Sequence, residues 1–145
     1  MQQPPQSGFS LLELALVSAM LCLYMVLATP AWLEASERSR VVAGLQVAAR
    51  VQQAVSEYAA VHDTLPDSNA RAGVAEADSF ADRTVQSVSI EDSPAPGTVR
   101  VVYRSFGSMA AGDSLLLVPT RYGNTLLWHC TSLTITASLL PANCR

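Results

Sequence analysis

Three patterns of apolar and polar positions follow one another along the chain. An apolar run opens at Phe9 and carries no charge from Leu14 to Leu33. Twenty residues at a helical rise of about 1.5 Å span roughly 30 Å, the thickness of a bilayer's hydrocarbon core. This stretch is expected to be a helix apolar on every side, able to sit in lipid or in a bundle of its own kind. The spacing then becomes amphipathic. Gln46, Arg50, Gln53 and Glu57 fall on one helical face. Val47, Val51, Val55, Tyr58 and His62 fall on another, which Leu45 and Ala48 widen, and His62 reads as a residue at the core's edge. One helix from Phe9 to about Val61 is predicted, curved or locally unwound over Val26–Pro30, because Pro30 lacks an N–H and clashes with the carbonyl four residues back.

After Leu65-Pro66-Asp67 ends the helix, residues 63–84 read as a loop, with a short helical turn near Ala75–Ala81. The period then changes to two. Thr84–Ile90, Thr98–Phe106, Leu115–Val118 and Leu126–Cys130 are predicted strands, joined by turn-rich links at 92–97, 107–112 and 121–124. Short links favour antiparallel neighbours. The fold class is therefore α+β: a long N-terminal helix whose amphipathic half packs on a four-stranded antiparallel meander, with no second domain.

Charge and cysteine usage narrow the function. The net charge of −3 argues against strong phosphate binding, although Arg100, Arg104 and Arg121 lie on or beside the predicted sheet, the first two on one strand face. Cys130 and Cys144 flank a short C-terminal segment, which suits a disulfide in an oxidising compartment; a metal site is the rival, and neither His62 nor His129 completes a usual ligand pattern. Cys22, inside the apolar run, reads as a small hydrophobe. Glu76, Asp78 and Asp82 form a loose acidic group without the fixed spacing or tight glycine turn of a calcium loop. No serine sits in a nucleophile elbow, no glycine loop cradles a phosphate, and no HExxH occurs, so neither an enzyme nor a bound cofactor is indicated.

The carboxylate of Glu13 is the group that demands an explanation. Insertion scales put a charge at mid-bilayer at roughly 2.5–3.5 kcal/mol. Glu13 could snorkel to the headgroups, being near the end of the span. Alternatively, a cut between Gly8 and Phe9 creates an α-amine, and the amine of one copy could meet Glu13 of the next, making the pair a register device. An ordinary secretory signal is cut after its apolar stretch. Here the small residue precedes it, so residues 1–8 read as a leader whose removal would keep the helix.

Gly8-Phe9-Ser10-Leu11-Leu12-Glu13, followed by Pro30, Trp32, the run Ala35-Ser36-Glu37-Arg38-Ser39, and the terminal cysteine pair, resembles the type IV pilins, specifically their type IVa major subunits. The resemblance implies a prepilin peptidase that cuts after Gly8 and N-methylates Phe9. It implies assembly governed by Glu13 and shaped by Pro30, and a Cys130–Cys144 disulfide. The implied parts are a leader (1–8), a transmembrane and polymerisation helix (9–33) and a soluble head (34–145). The head comprises helix 34–62, loop 63–84, sheet 85–130 and a disulfide-bounded segment 130–144. The implied partners are other copies of the chain in a helical filament, the peptidase, the inner membrane and its pilus assembly machinery, with DNA a weaker candidate. The chain would wait in the inner membrane with its head in the periplasm and end in an extracellular filament serving adhesion, motility or DNA uptake. Arg38 and Arg40 alone would draw the head to the cytoplasm by the positive-inside rule, and the leader lacks the family's Lys and Arg; the cysteine pair and the resemblance place the head outside. A minor pilin, a type II secretion pseudopilin, or an anchored binding domain that never polymerises are the rival readings.

Overall fold

The computed structural model describes residues 9–123 and 125–145, and the expected leader with Gly8 lies outside them. Two compact units divide the chain, one ending at Glu34 and the other spanning Ala35–Arg145. Helix α1 runs Leu11–His62. It is helical without interruption through residues 26–30, so the local unwinding expected there is not found. The physical reason is that proline removes one helical bond, the one its N–H would give to the Val26 carbonyl. Thr29 Oγ1 donates to that same carbonyl at 3.2 Å.

In the second unit α1 presents a buried stripe of Val41, Gly44, Ala48, Val51, Val55 and Ala59. Val51, Val55 and Ala48 were expected on it. Tyr58 is only half-buried and His62 is exposed, its ring stacked on Tyr58 at 4.1 Å between centroids. The stripe turns toward small residues instead, which let the helix lie close to the sheet.

The sheet is a meander in the order β1-β2-β3-β4, each neighbour antiparallel. Its strands are β1 (Val85–Glu91), β2 (Thr98–Tyr103), β3 (Ser114–Tyr122) and β4 (Thr125–Thr131). Period-two alternation puts Val85, Val88, Ile90, Val99, Val101, Tyr103, Leu115 and Leu117 into one core with the helical stripe. Two strand bounds differ from expectation by more than one residue. β2 stops at Tyr103, because Phe106 and Met109 form a separate bridge across Gly107-Ser108. β3 continues to Tyr122 through Pro119. That proline pairs with Trp128 of β4 and lies beyond the last β2 partner, at Leu117, so no neighbour there needs its missing N–H.

The loop before the sheet contains a 3-10 turn at Ala77–Phe80, inside the short helical turn expected there. The same loop closes one edge of the sheet. Asn69 Oδ1 accepts the Ile90 N–H at 2.7 Å, and its Nδ2 donates to the Val88 carbonyl at 3.1 Å and to Ala75 at 2.9 Å. The amide side chain thus stands in for a missing strand on β1.

Candidate functional site

At the N-terminus, Ser10 caps α1: its Oγ accepts the Leu12 N–H at 3.3 Å, and its carbonyl accepts the Leu14 N–H at 3.1 Å. Glu13 lies three residues on, in the first helical turn, where the positive end of the helix dipole favours a carboxylate. It has no hydrogen bond or ion pair among the described residues. The hydroxyls of Ser18 and Thr29 are turned back onto helix carbonyls. Around this carboxylate, Phe9 is 78% exposed, Leu11 90% and Leu12 73%. The first unit is therefore a sleeve of exposed apolar side chains with one unpartnered acid near its mouth. It is also a helix long and apolar enough to cross a membrane. Among the expected processing and assembly positions, Phe9, Glu13 and Pro30 are described and Gly8 is not.

In the second unit the beginning of its helical segment is tied to two distant loops. Glu37 holds the Phe106–Met109 turn, accepting the Ser108 hydroxyl at 2.6 Å and the Ser108 N–H at 3.2 Å. Gly107 adopts a left-handed φ of 54° directly against that carboxylate, where a Cβ would collide with it. Arg38 donates to the Ser138 carbonyl, and the Arg40 guanidinium lies 5.5 Å from the centroid of the Phe106 ring. Asn69 does not stand out in the sequence, and Glu37 does so only as part of the run Ala35–Ser39, with no hint of its loop contact; the glycine in Phe106-Gly107-Ser108-Met109 was the available signal for a two-residue turn.

Cys130 and Cys144 form a disulfide, Cα to Cα 4.5 Å. The enclosed segment buries Ile135, Leu139 and Leu140 and displays Leu133, which is 93% exposed. The three arginines considered for nucleic acid do not act together. Arg100 pairs with Glu91 at 2.8 Å, Arg121 pairs with Asp63, and Arg104, beyond the end of β2, donates to the Asp82 carbonyl. Asp82 itself accepts the N–H groups of Thr84 and Val85, both at 2.6 Å. The described residues contain no group of three or more His, Cys, Asp or Glu able to hold a metal.

The electrostatics are local. Hydrogen bonding and charge from Arg71 hold the exposed Asp67 carboxyl below its ordinary range, and Asp67 raises Arg71 in return. Burial pushes the Tyr103 phenol well above its usual value, while its hydroxyl donates to the Val41 carbonyl at 2.8 Å. None of these groups pairs a nucleophile with a base; they fasten elements to one another.

Residues 37–145 match the model of the pilin family, described as a bacterial filament protein. A fimbrial protein of Eikenella corrodens, EcpC, is 30% identical over 97% of this chain and 91% of its own length. A fimbrial protein of Neisseria meningitidis is 29% identical over 86% of this chain and 72% of its own. The type IV major pilin PilE of Neisseria gonorrhoeae is 29% identical over 86% and 74%.

Proposed function

Because the chain belongs to the pilin family, a family of structural filament subunits and not of enzymes, we propose how this subunit is matured and added to a filament. It is made as a membrane-anchored precursor, cut between Gly8 and Phe9 by a prepilin peptidase, and N-methylated at Phe9. It then moves from the inner membrane, its head in the periplasm, into an extracellular filament that serves adhesion, motility or DNA uptake. The assembly machinery of that membrane drives the transfer.

One observation carries this reading: large apolar side chains from Phe9 to Leu33 are exposed, and Glu13 at the mouth of that sleeve has no partner among the described residues. A sleeve apolar on every side is equally at home in lipid and against sister helices, so transfer between the two costs little. A carboxylate buried without a partner costs several kcal/mol, so the register that gives Glu13 the α-amine of Phe9 from a neighbour is favoured over every other. Names of relatives as major pilins, together with the Cys130–Cys144 staple, favour a principal subunit over a minor one or a pseudopilin.

Two measurements test this. The mass of the mature N-terminal peptide should be that of a chain beginning with N-methylated Phe9; a retained residue 1–8 segment refutes processing. Glu13→Ala should insert in the membrane and be cut normally, yet release few or no filaments on shearing. Wild-type filament yield from that variant would sink the register role.

A further inference from the structure

Leu133 is held out from the head rather than merely left there. Its two neighbours are both fastened to Ser114: Ser132 Oγ donates to the Ser114 carbonyl at 2.7 Å, and Thr134 Oγ1 accepts the Ser114 N–H at 3.0 Å. Ser132 Oγ also accepts the N–H of Ile135, a buried residue, at 3.1 Å. A single exposed leucine needs no explanation on an ordinary surface. One clamped on both sides, with its backbone already ordered, has lost the chain entropy that a flexible loop would still have to surrender on contact.

The same head carries a cleft of about 430 Å³ that the small side chains of Ser56, Ala59 and Ala60 leave open against Leu126 of β4. The Asp63–Arg121 ion pair, Gly123 and Thr125 line it as well, so the apolar part of its wall is Ala59, Ala60 and Leu126. The segment Thr131–Asn143 brings no charge to that lining. Leucine and cleft lie at opposite ends of one hairpin. The β3–β4 ladder runs from Arg121↔Leu126 beside the cleft to Leu116↔Thr131 beside the Leu133 loop. Five strand residues separate these ends, on the order of 17 Å at about 3.3 Å each. A chain therefore cannot fill its own cleft with its own Leu133.

We propose that Leu133 of one copy seats in the Ser56–Ala59–Ala60–Leu126 cleft of the next, a head-to-head-domain contact that supplements the helix contacts of the filament. It rests on the filament reading above and adds a second, independent interface to it. A knob and a hole on opposite ends of one rigid element make a heterologous contact, which repeats without closing and so suits an open fibre.

The test uses full-length chains carrying Cys22→Ser, with Leu133→Cys and Ala60→Cys singly and together. Sheared filaments are treated with a short bismaleimide, which reacts with free thiols and leaves the Cys130–Cys144 disulfide intact. The double variant should give a ladder of dimers, trimers and longer species, and each single variant only monomers. Monomers alone from assembled double-variant filaments would overturn the contact. If the double variant does not assemble, Leu133→Glu and Leu133→Met decide. Removing one apolar contact should lower sheared-filament yield on the order of tenfold for Glu, with Met near wild type and processing unchanged in both. Wild-type yield from Leu133→Glu overturns the proposal and leaves the filament reading standing. Absence of filaments from the wild-type chain removes both.

Discussion

At the scale of single residues, the head turns on one close approach that apolar patterning cannot express. Tyr103 comes from the sheet and lays its ring on the helix at Gly44, where its hydroxyl reaches the Val41 carbonyl. A Cβ at Gly44 would stand 2.7 Å from Cζ of that ring. Alanine in a helix normally gains about 0.5–1 kcal/mol over glycine. Overpacking a core costs about 1–3 kcal/mol, so the clash wins. Gly44→Ala should lower the thermal midpoint of the full chain in detergent, and an unchanged or raised midpoint would show that the ring can yield. Tyr103→Phe should cost less at neutral pH, about 0.5–1.5 kcal/mol for one hydrogen bond. Its signature lies at alkaline pH. The folded phenol ionises later than the unfolded one, so its contribution is complete below the ordinary tyrosine range, near pH 10, and is lost as pH rises above it. Wild type should therefore lose stability above about pH 10 faster than Tyr103→Phe. Parallel profiles would mean the buried hydroxyl is not the group responsible.

At the scale of elements, the order helix, loop, four-stranded meander was legible because period and punctuation agree. Alternation in Val99-Arg100-Val101-Val102-Tyr103 and Leu115–Leu117 has no helical counterpart. What the pattern concealed was contact between elements. Large apolar residues drew the helical stripe toward Tyr58 and His62, while the observed stripe uses Gly44, Ala48 and Ala59, whose value lies in being small. The third strand was expected to stop at Val118, one residue short of Pro119, whose tolerance in a strand depends on where the neighbouring strand stops, which is tertiary information. Asn69 is the same case in a loop, its role invisible until β1 lies beside it. Asn69→Ala leaves the Ile90 N–H and Val88 carbonyl without their partner, a loss of about 1–3 kcal/mol for groups that are half-covered. Hydrogen exchange at the Ile90 amide should accelerate while amides at the β2–β3 pairing keep their protection. Uniform acceleration across the sheet would show instead that the loop stabilises the whole head and not one edge.

At the scale of the molecule, the two units have opposite relations to water. Every member of the core cluster lies at Val41 or later, whereas large apolar side chains from Phe9 to Leu33, including Leu23 and Trp32, stand exposed. Burying one such side chain is worth about 1.5–3 kcal/mol, so the first unit gains from lipid, detergent or sister helices. Glu13 was legible in the sequence as an anomaly, and the proposed partner, the α-amine of Phe9 on another copy, was named there from the spacing alone, since a single chain holds no second copy to show the pair. A chain begun at Ala35 should accordingly stay monomeric without detergent and keep its near-ultraviolet circular dichroism, while the chain with residues 9–34 requires detergent. The shortened head is small, and closing its C-terminal loop is worth about 2–5 kcal/mol. Reduction of Cys130–Cys144 should therefore take a large share of its stability, read as a lower denaturant midpoint. If the head begun at Ala35 were molten with the disulfide intact, the core would depend on the N-terminal sleeve. The helix could then not be exchanged between membrane and fibre without unfolding what it carries.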